Sequence, residues 1–175
     1  MADTLKIALA QINPHEGAIT ANADRIRRAR AEAARLGADL VVTPEFSIAG
    51  YPPEDLVKKP AFVSACEEAI AALAAETADG GPGLVIGGPW QNGDQLHNAL
   101  FLLDGGRIVA RRAKHELPNY GVFDDKRVFD AGPAPGPVPF RGFRLGLMIC
   151  EDWWFPSVCE TLCETGAEIL LSING

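Results

Sequence analysis

The chain alternates short apolar runs with longer stretches in which apolar residues recur every three or four positions. Lys6 to Ile12 predicts a strand. Beyond the turn at Asn13 and Pro14, the arginine-rich stretch from Asn22 to Leu36 sets Ile26, Ala29, Ala33 and Leu36 at helical spacing. Gly37 closes that helix as a left-handed cap. Asp39 to Thr43 predicts a buried strand ending at Pro44, and Phe46 to Lys59, interrupted by Gly50, Pro52 and Pro53, predicts a loop. Pro60 opens a second helix, with Phe62, Cys66, Ala69, Ile70 and Leu73 on its apolar stripe, until Gly80 and Gly81 end it.

Gly83 to Gly88 reads as the next strand. Leu96 to Leu103 and Arg107 to Ala113 are extended runs joined by Asp104, Gly105 and Gly106, the pattern of an antiparallel hairpin. Lys114 to Asp130 is a polar and aromatic loop, and Gly132 to Pro139, with four prolines and two glycines, is a rigid connector. A strand from Phe143 to Cys150, a helix from Pro156 to Glu164 capped at Gly166, and a strand from Glu168 to Ile173 complete the pattern, with no internal repeat. The order predicts an α/β fold, a mixed β-sheet with helices flanking at least one face.

Composition narrows the function. The 175 residues are 47% hydrophobic, enough for one domain with a core, and a net charge of -7 with interleaved signs provides no footprint for nucleic acid or an anionic membrane. The N-terminal segment has neither a basic leader nor a cleavage site, and no apolar run approaches the ~20 residues of a membrane span. The expectation is a cytoplasmic protein that handles small molecules. Four cysteines, at positions 66, 150, 159 and 163, contain no CxxC couple, so thiols are expected rather than a disulfide or metal site. Cys66, Cys159 and Cys163 read as packing residues.

Cys150 differs because it ends an apolar strand just before Glu151, Asp152 and a helix. A thiol there points toward helix N–H groups that favour a thiolate and a developing oxyanion. Glu45 ends the strand before it in the same manner and is a candidate base; Lys114 follows Ala113 and is a candidate cation. Taken singly, a core cysteine, a solvated carboxylate and a surface lysine are the simpler readings. Taken together, three strand ends of one sheet bring nucleophile, base and cation to one rim. Histidine is the usual base for cysteine chemistry, but His15 falls in a turn, His97 within a strand, and His115 beside Lys114 on the opposite side of the backbone. The glycine-flanked elbow of other hydrolase folds is also absent around Cys150.

Three segments resemble the nitrilase, or carbon-nitrogen hydrolase, superfamily: Thr43 to Phe46 with Gly50 to Leu56, Lys114 with Leu117 to Asp124, and Cys150 to Trp154. Their extended forms are similar to the glutaminase domain of glutamine-dependent NAD synthetases. The resemblance implies a Glu45, Lys114, Cys150 triad on an α-β-β-α sandwich, with Tyr120 contacting glutamine, Phe123 and Trp154 lining its pocket, and Glu151 at the site. It implies no metal or organic cofactor for amide hydrolysis, with ATP and deamido-NAD confined to a synthetase domain. By that pattern residues 1-175 are the N-terminal part of a glutaminase domain, with an incomplete sandwich, the remaining domain and the synthetase domain absent, and a homo-oligomer expected. The alternatives are a free-standing amidase, nitrilase or carbamoylase of the same fold, and an inactive module that only associates.

Overall fold

The computed structural model describes residues 4–175. The first three strands and their helices follow the sequence pattern. Strand β1 (Ile7–Leu9) is followed by helix α1 (Ile19–Arg35), β2 (Leu40–Val42), helix α2 (Pro60–Glu76) and β3 (Gly83–Asn92). β1, β2 and β3 run parallel, as short strands joined by crossover helices must. β4 (Gln95–Asp104) and β5 (Arg107–Ala113) then add antiparallel, giving a five-stranded mixed sheet in sequence order.

The chain then leaves this sheet. β6 (Val138–Phe140) pairs antiparallel with β7 (Phe143–Ile149), which pairs parallel with β8 (Ile169–Ile173) across helix α3 (Pro156–Glu164). The single expected sheet is therefore two, of five and three strands. The proline-rich connector is the physical cause: prolines at 133, 135, 137 and 139 donate no ladder hydrogen bonds, so the chain cannot continue pairing beside β5. Instead Arg112 Nη2 donates to the Gly136 carbonyl at 2.7 Å and pins the connector across the sheet edge.

Three apolar clusters define four layers. α1 and α2 cover one face of the larger sheet through Ile26, Ile70 and Leu73 against Val41, Leu84 and Ile86. Leu40, Val85, Leu100 and Leu102 on its other face meet Leu145, Leu147 and Ile149 of the smaller sheet. Met148 turns outward onto Val158 and Leu162 of α3. Helices, sheet, sheet, helix is the α-β-β-α order that the resemblance implied. Each fully buried Leu or Ile contributes about 1.5–3 kcal/mol to this stack. Gly83 permits the sheets to approach closely, because a Cβ there would meet the Phe140 ring at 2.8 Å.

Two elements went unread in the sequence. β3 runs on to Asn92 and turns back through Gly93 and Asp94, so Trp90 pairs with His97; Asn92-Gly93 carries the hairpin signal. β6 lies inside the connector, where Pro139 concealed it.

Candidate active site

Glu45 is carried off the end of β2 by a tightly tied loop. Thr43 N–H donates to the Val85 carbonyl at 3.0 Å, Thr43 Oγ1 donates to Ser47 Oγ at 2.7 Å, and Ile48 N–H donates to the Gly87 carbonyl at 3.1 Å. Only glycine fits at 87, because a Cβ would strike the Phe46 nitrogen at 2.5 Å. Phe46 itself is held at φ 48°, a left-handed conformation that costs a side-chain-bearing residue on the order of 1–3 kcal/mol. This anchoring turns the Glu45 carboxylate inward, where it is 0% exposed.

Lys114 leaves β5 with its N–H bound to the Asn98 carbonyl at 2.8 Å and its side chain 2% exposed. Its Nζ lies 2.9 Å from Glu45 Oε1 and 2.9 Å from Asp125 Oδ2. Burial pulls the ammonium down, and the two carboxylates together overcome it, so the net displacement is upward and Lys114 stays a cation. An isolated buried charge is costly, and these partners are what make this one tolerable.

Cys150 ends β7 at φ 45°, a second strained residue, and begins a 3₁₀ turn over Cys150–Trp154. α3 starts at Pro156 as the sequence predicts, and this 3₁₀ turn lies between it and the sulfur. Without flanking glycines the backbone still forms a sharp elbow. Burial and the Glu45 charge, partly offset by Lys114, push the half-buried thiol up to about 11. The resting sulfur is protonated at neutral pH. Glu45, Lys114 and Cys150 thus converge, but across two sheets: β2 and β5 supply the first two, and β7 of the smaller sheet supplies the third.

The three histidines are occupied elsewhere. His97 Nδ1 and His115 Nδ1 each lie 2.7 Å from a carbonyl, of Asp130 and Gly132, and His15 Nδ1 lies 3.4 Å from Arg25. Among the described residues no cluster of His, Cys, Asp or Glu side chains could hold a metal ion.

Tyr120 and Glu151 are brought together: the Tyr120 hydroxyl lies 3.0 Å from both Glu151 carboxylate oxygens. Phe123 stands edge-on to Tyr120 with ring centroids 5.8 Å apart, and lines a cavity of about 260 Å³ with Phe46, Tyr51, Asp125 and Phe129. Asp125 thereby joins this cavity to the Lys114 ammonium. Trp154 stands apart from this group. It is 70% exposed, stacks edge-on against Trp153 and does not line that cavity, because the 3₁₀ turn rotates both indoles outward.

Sequence reasoning missed Asn98, Asp125 and Asp152. Asp152 Oδ1 accepts from the N–H groups of His115 and Glu116 at 3.0 and 2.8 Å, and Oδ2 accepts from Ile149 N–H at 3.0 Å. It therefore ties the Lys114 loop to the Cys150 strand across the sheets. Each of these residues is an ordinary polar side chain in sequence, and only pairing reveals its partner.

The carbon-nitrogen hydrolase family model matches residues 6–175. The chain is 45% identical to glutamine-dependent NAD(+) synthetase of Rhodobacter capsulatus over 175 residues, covering 100% of this chain and 32% of that protein. It is 44% identical to the Xanthomonas campestris synthetase, with 99% of this chain and 32% of that protein covered. Among solved structures, the glutamine-dependent NAD+ synthetase of Acinetobacter baumannii superposes with a TM-score of 0.92 at 34% identity, over 98% of this chain and 32% of that one. The amidase from Nesterenkonia sp. AN1 superposes with a TM-score of 0.83 at 28% identity, over 97% of this chain and 64% of that one. The chain spans about a third of the length of the curated relatives it matches. Its layered fold and the family match along almost all of its length place this chain in the carbon-nitrogen hydrolase family.

Proposed function

We propose that the chain is the glutamine-hydrolysing part of a glutamine-dependent NAD synthetase, with Cys150 as nucleophile, Glu45 as base and Lys114 as oxyanion partner. The convergence of a protonated thiol, a buried carboxylate and a buried ammonium carries this reading. Two likenesses support it: the synthetases match this chain end to end, and in a mutant of the Nesterenkonia amidase the active-site cysteine carries the acetamide moiety of fluoroacetamide by covalent addition. In this reading residues 1-175 form the N-terminal part of a cytoplasmic, homo-oligomeric glutaminase whose ammonia feeds a synthetase domain. ATP and deamido-NAD bind that domain alone, and hydrolysis needs no cofactor.

Glu45 takes the thiol proton as sulfur attacks the side-chain amide carbon of glutamine, and the carbonyl π electrons move onto oxygen. Lys114 Nζ and the Glu151 N–H hold that oxyanion. Re-formation of the carbonyl breaks the C–N bond, and the proton held by Glu45 passes to nitrogen, so ammonia leaves and a thioester remains. Water then attacks the thioester while Glu45 accepts its proton, and collapse expels glutamate and returns the proton to sulfur. Tyr120, Phe123 and Glu151 form the glutamine site in this scheme, with Trp154 outside it. Cys150→Ala in the synthetase should abolish glutamine hydrolysis and spare synthesis from added ammonia; surviving glutaminase activity sinks the assignment. The amidase likeness favours a second reading, hydrolysis of small aliphatic amides, which a comparison of kcat/KM for glutamine and acetamide separates.

A further inference from the structure

Asn98 sits on β4 between the two strands that flank it, β3 and β5, and touches both charged members of the site. Its carbonyl accepts the Lys114 N–H at 2.8 Å, and its Nδ2 donates to Glu45 Oε1 at 2.7 Å. Lys114 Nζ donates to that same oxygen at 2.9 Å. The other oxygen, Oε2, accepts the Gly175 N–H at 3.1 Å. One carboxylate oxygen carries two side-chain donors from the large sheet, while the other carries a main-chain donor alone.

The amide orientation is fixed by its partner, since the reverse would set its carbonyl oxygen against a carboxylate. In this orientation Asn98 Oδ1 is buried without a hydrogen-bond partner, in a residue 1% exposed. A buried acceptor left unmatched lowers stability, and an apolar residue would avoid that loss. A purely structural explanation of Asn98 does not account for this.

We propose that Asn98 is a positioning residue: by holding Oε1 of Glu45, it fixes the carboxylate rotation and aims Oε2 at the Cys150 thiol. Lys114 cannot do this alone. An ammonium is a point charge with rotatable donors and follows either oxygen, whereas a carboxylate's last torsion has broad two-fold wells. A planar amide on a short side chain, rooted in a central strand, selects one oxygen. The proposal rests on Glu45 acting as the base.

A substrate-free readout tests it separately from the glutaminase assignment. Iodoacetamide alkylation of Cys150 at pH 7.5, read by peptide mapping, requires transfer of the thiol proton, and Glu45 is the proposed acceptor. Glu45→Gln should slow it, Asn98→Ala should slow it about 10-fold, and the double variant should be no slower than Glu45→Gln alone, because Asn98 acts only through Glu45. Asn98→Ser, too short to reach Oε1, gives the same pattern if the alanine variant does not fold. With glutamine, kcat should fall about 10-fold in Asn98→Ala while KM stays within about 3-fold. Alkylation unchanged in Asn98→Ala, or slowed equally in the Glu45→Gln background, overturns the proposal. A wild-type protein inert toward glutamine that still shows the non-additive pattern removes the proposed substrate and leaves the role of Asn98 standing.

Discussion

The two halves of the site are built on opposite terms. Glu45 and Lys114 lie at the ends of strands in the five-stranded sheet, sealed from solvent and tied to Asn98 and Asp125. Cys150 lies on the three-stranded sheet, half-buried, followed by Trp153, Trp154 and Phe155, all exposed. The charged half gains from enclosure, because a dry carboxylate and ammonium interact strongly once each is satisfied. The sulfur half must admit an amide, so it stands at the edge of the layer. Asp152 joins the halves, and its own carboxyl is held above the usual carboxylate range by burial against the three N–H groups that it accepts.

This contrast breaks first at Lys114. Replacing it with Met leaves Glu45 charged and buried, and a broken buried pair costs about 3–5 kcal/mol. Urea denaturation should show that loss, with part of it recovered in the Lys114→Met, Glu45→Gln double variant; a loss below about 1 kcal/mol would mean that the enclosed half is in fact wet. Asp152→Ala tests the joint between the halves. It strips the acceptor from three main-chain N–H groups, and we expect a loss of about 3 kcal/mol by the same measurement. An unchanged midpoint would show that the sheets dock without that strap.

The sulfur half can be sharpened by titration. Near pH 7.5 alkylation runs through the thiol assisted by Glu45, and as free thiolate forms toward about 11 the rate should keep climbing between pH 8 and 10. The sign follows from the cause: burial and the Glu45 charge both oppose the thiolate, so more base is needed to form it. A plateau by pH 9 contradicts the enclosure of this sulfur. The smallest effect belongs to Trp154→Ala, where an exposed indole outside the cavity should change stability by less than about 0.5 kcal/mol and KM for glutamine by less than 3-fold. A larger rise in KM would return Trp154 to the substrate site.

How much could be read in advance varied by element. Helix α2 was legible from Pro60 onward because its apolar stripe and its end signals agree. α3, with Pro156 at its start and Gly166 at φ 93° beyond its end, was equally plain. Glu45, Lys114 and Cys150 stood out as chemically capable residues at strand ends. Asn98 did not, because an asparagine inside Leu96 to Leu103 looks like any polar interruption until Glu45 is placed 2.7 Å away.

By itself the sequence determined most of the elements, the β4–β5 hairpin and the residue types able to cut an amide, because periodicity, turn residues and strand termini are local properties. The tertiary structure alone decided that β7 belongs to a second sheet, that Trp154 faces outward, and that Asn98 pairs with Glu45 and Asp125 with Lys114. Apolar runs such as Leu145 to Ile149 fit the interior of either sheet, so only the competition among whole layers for burial chose the partner.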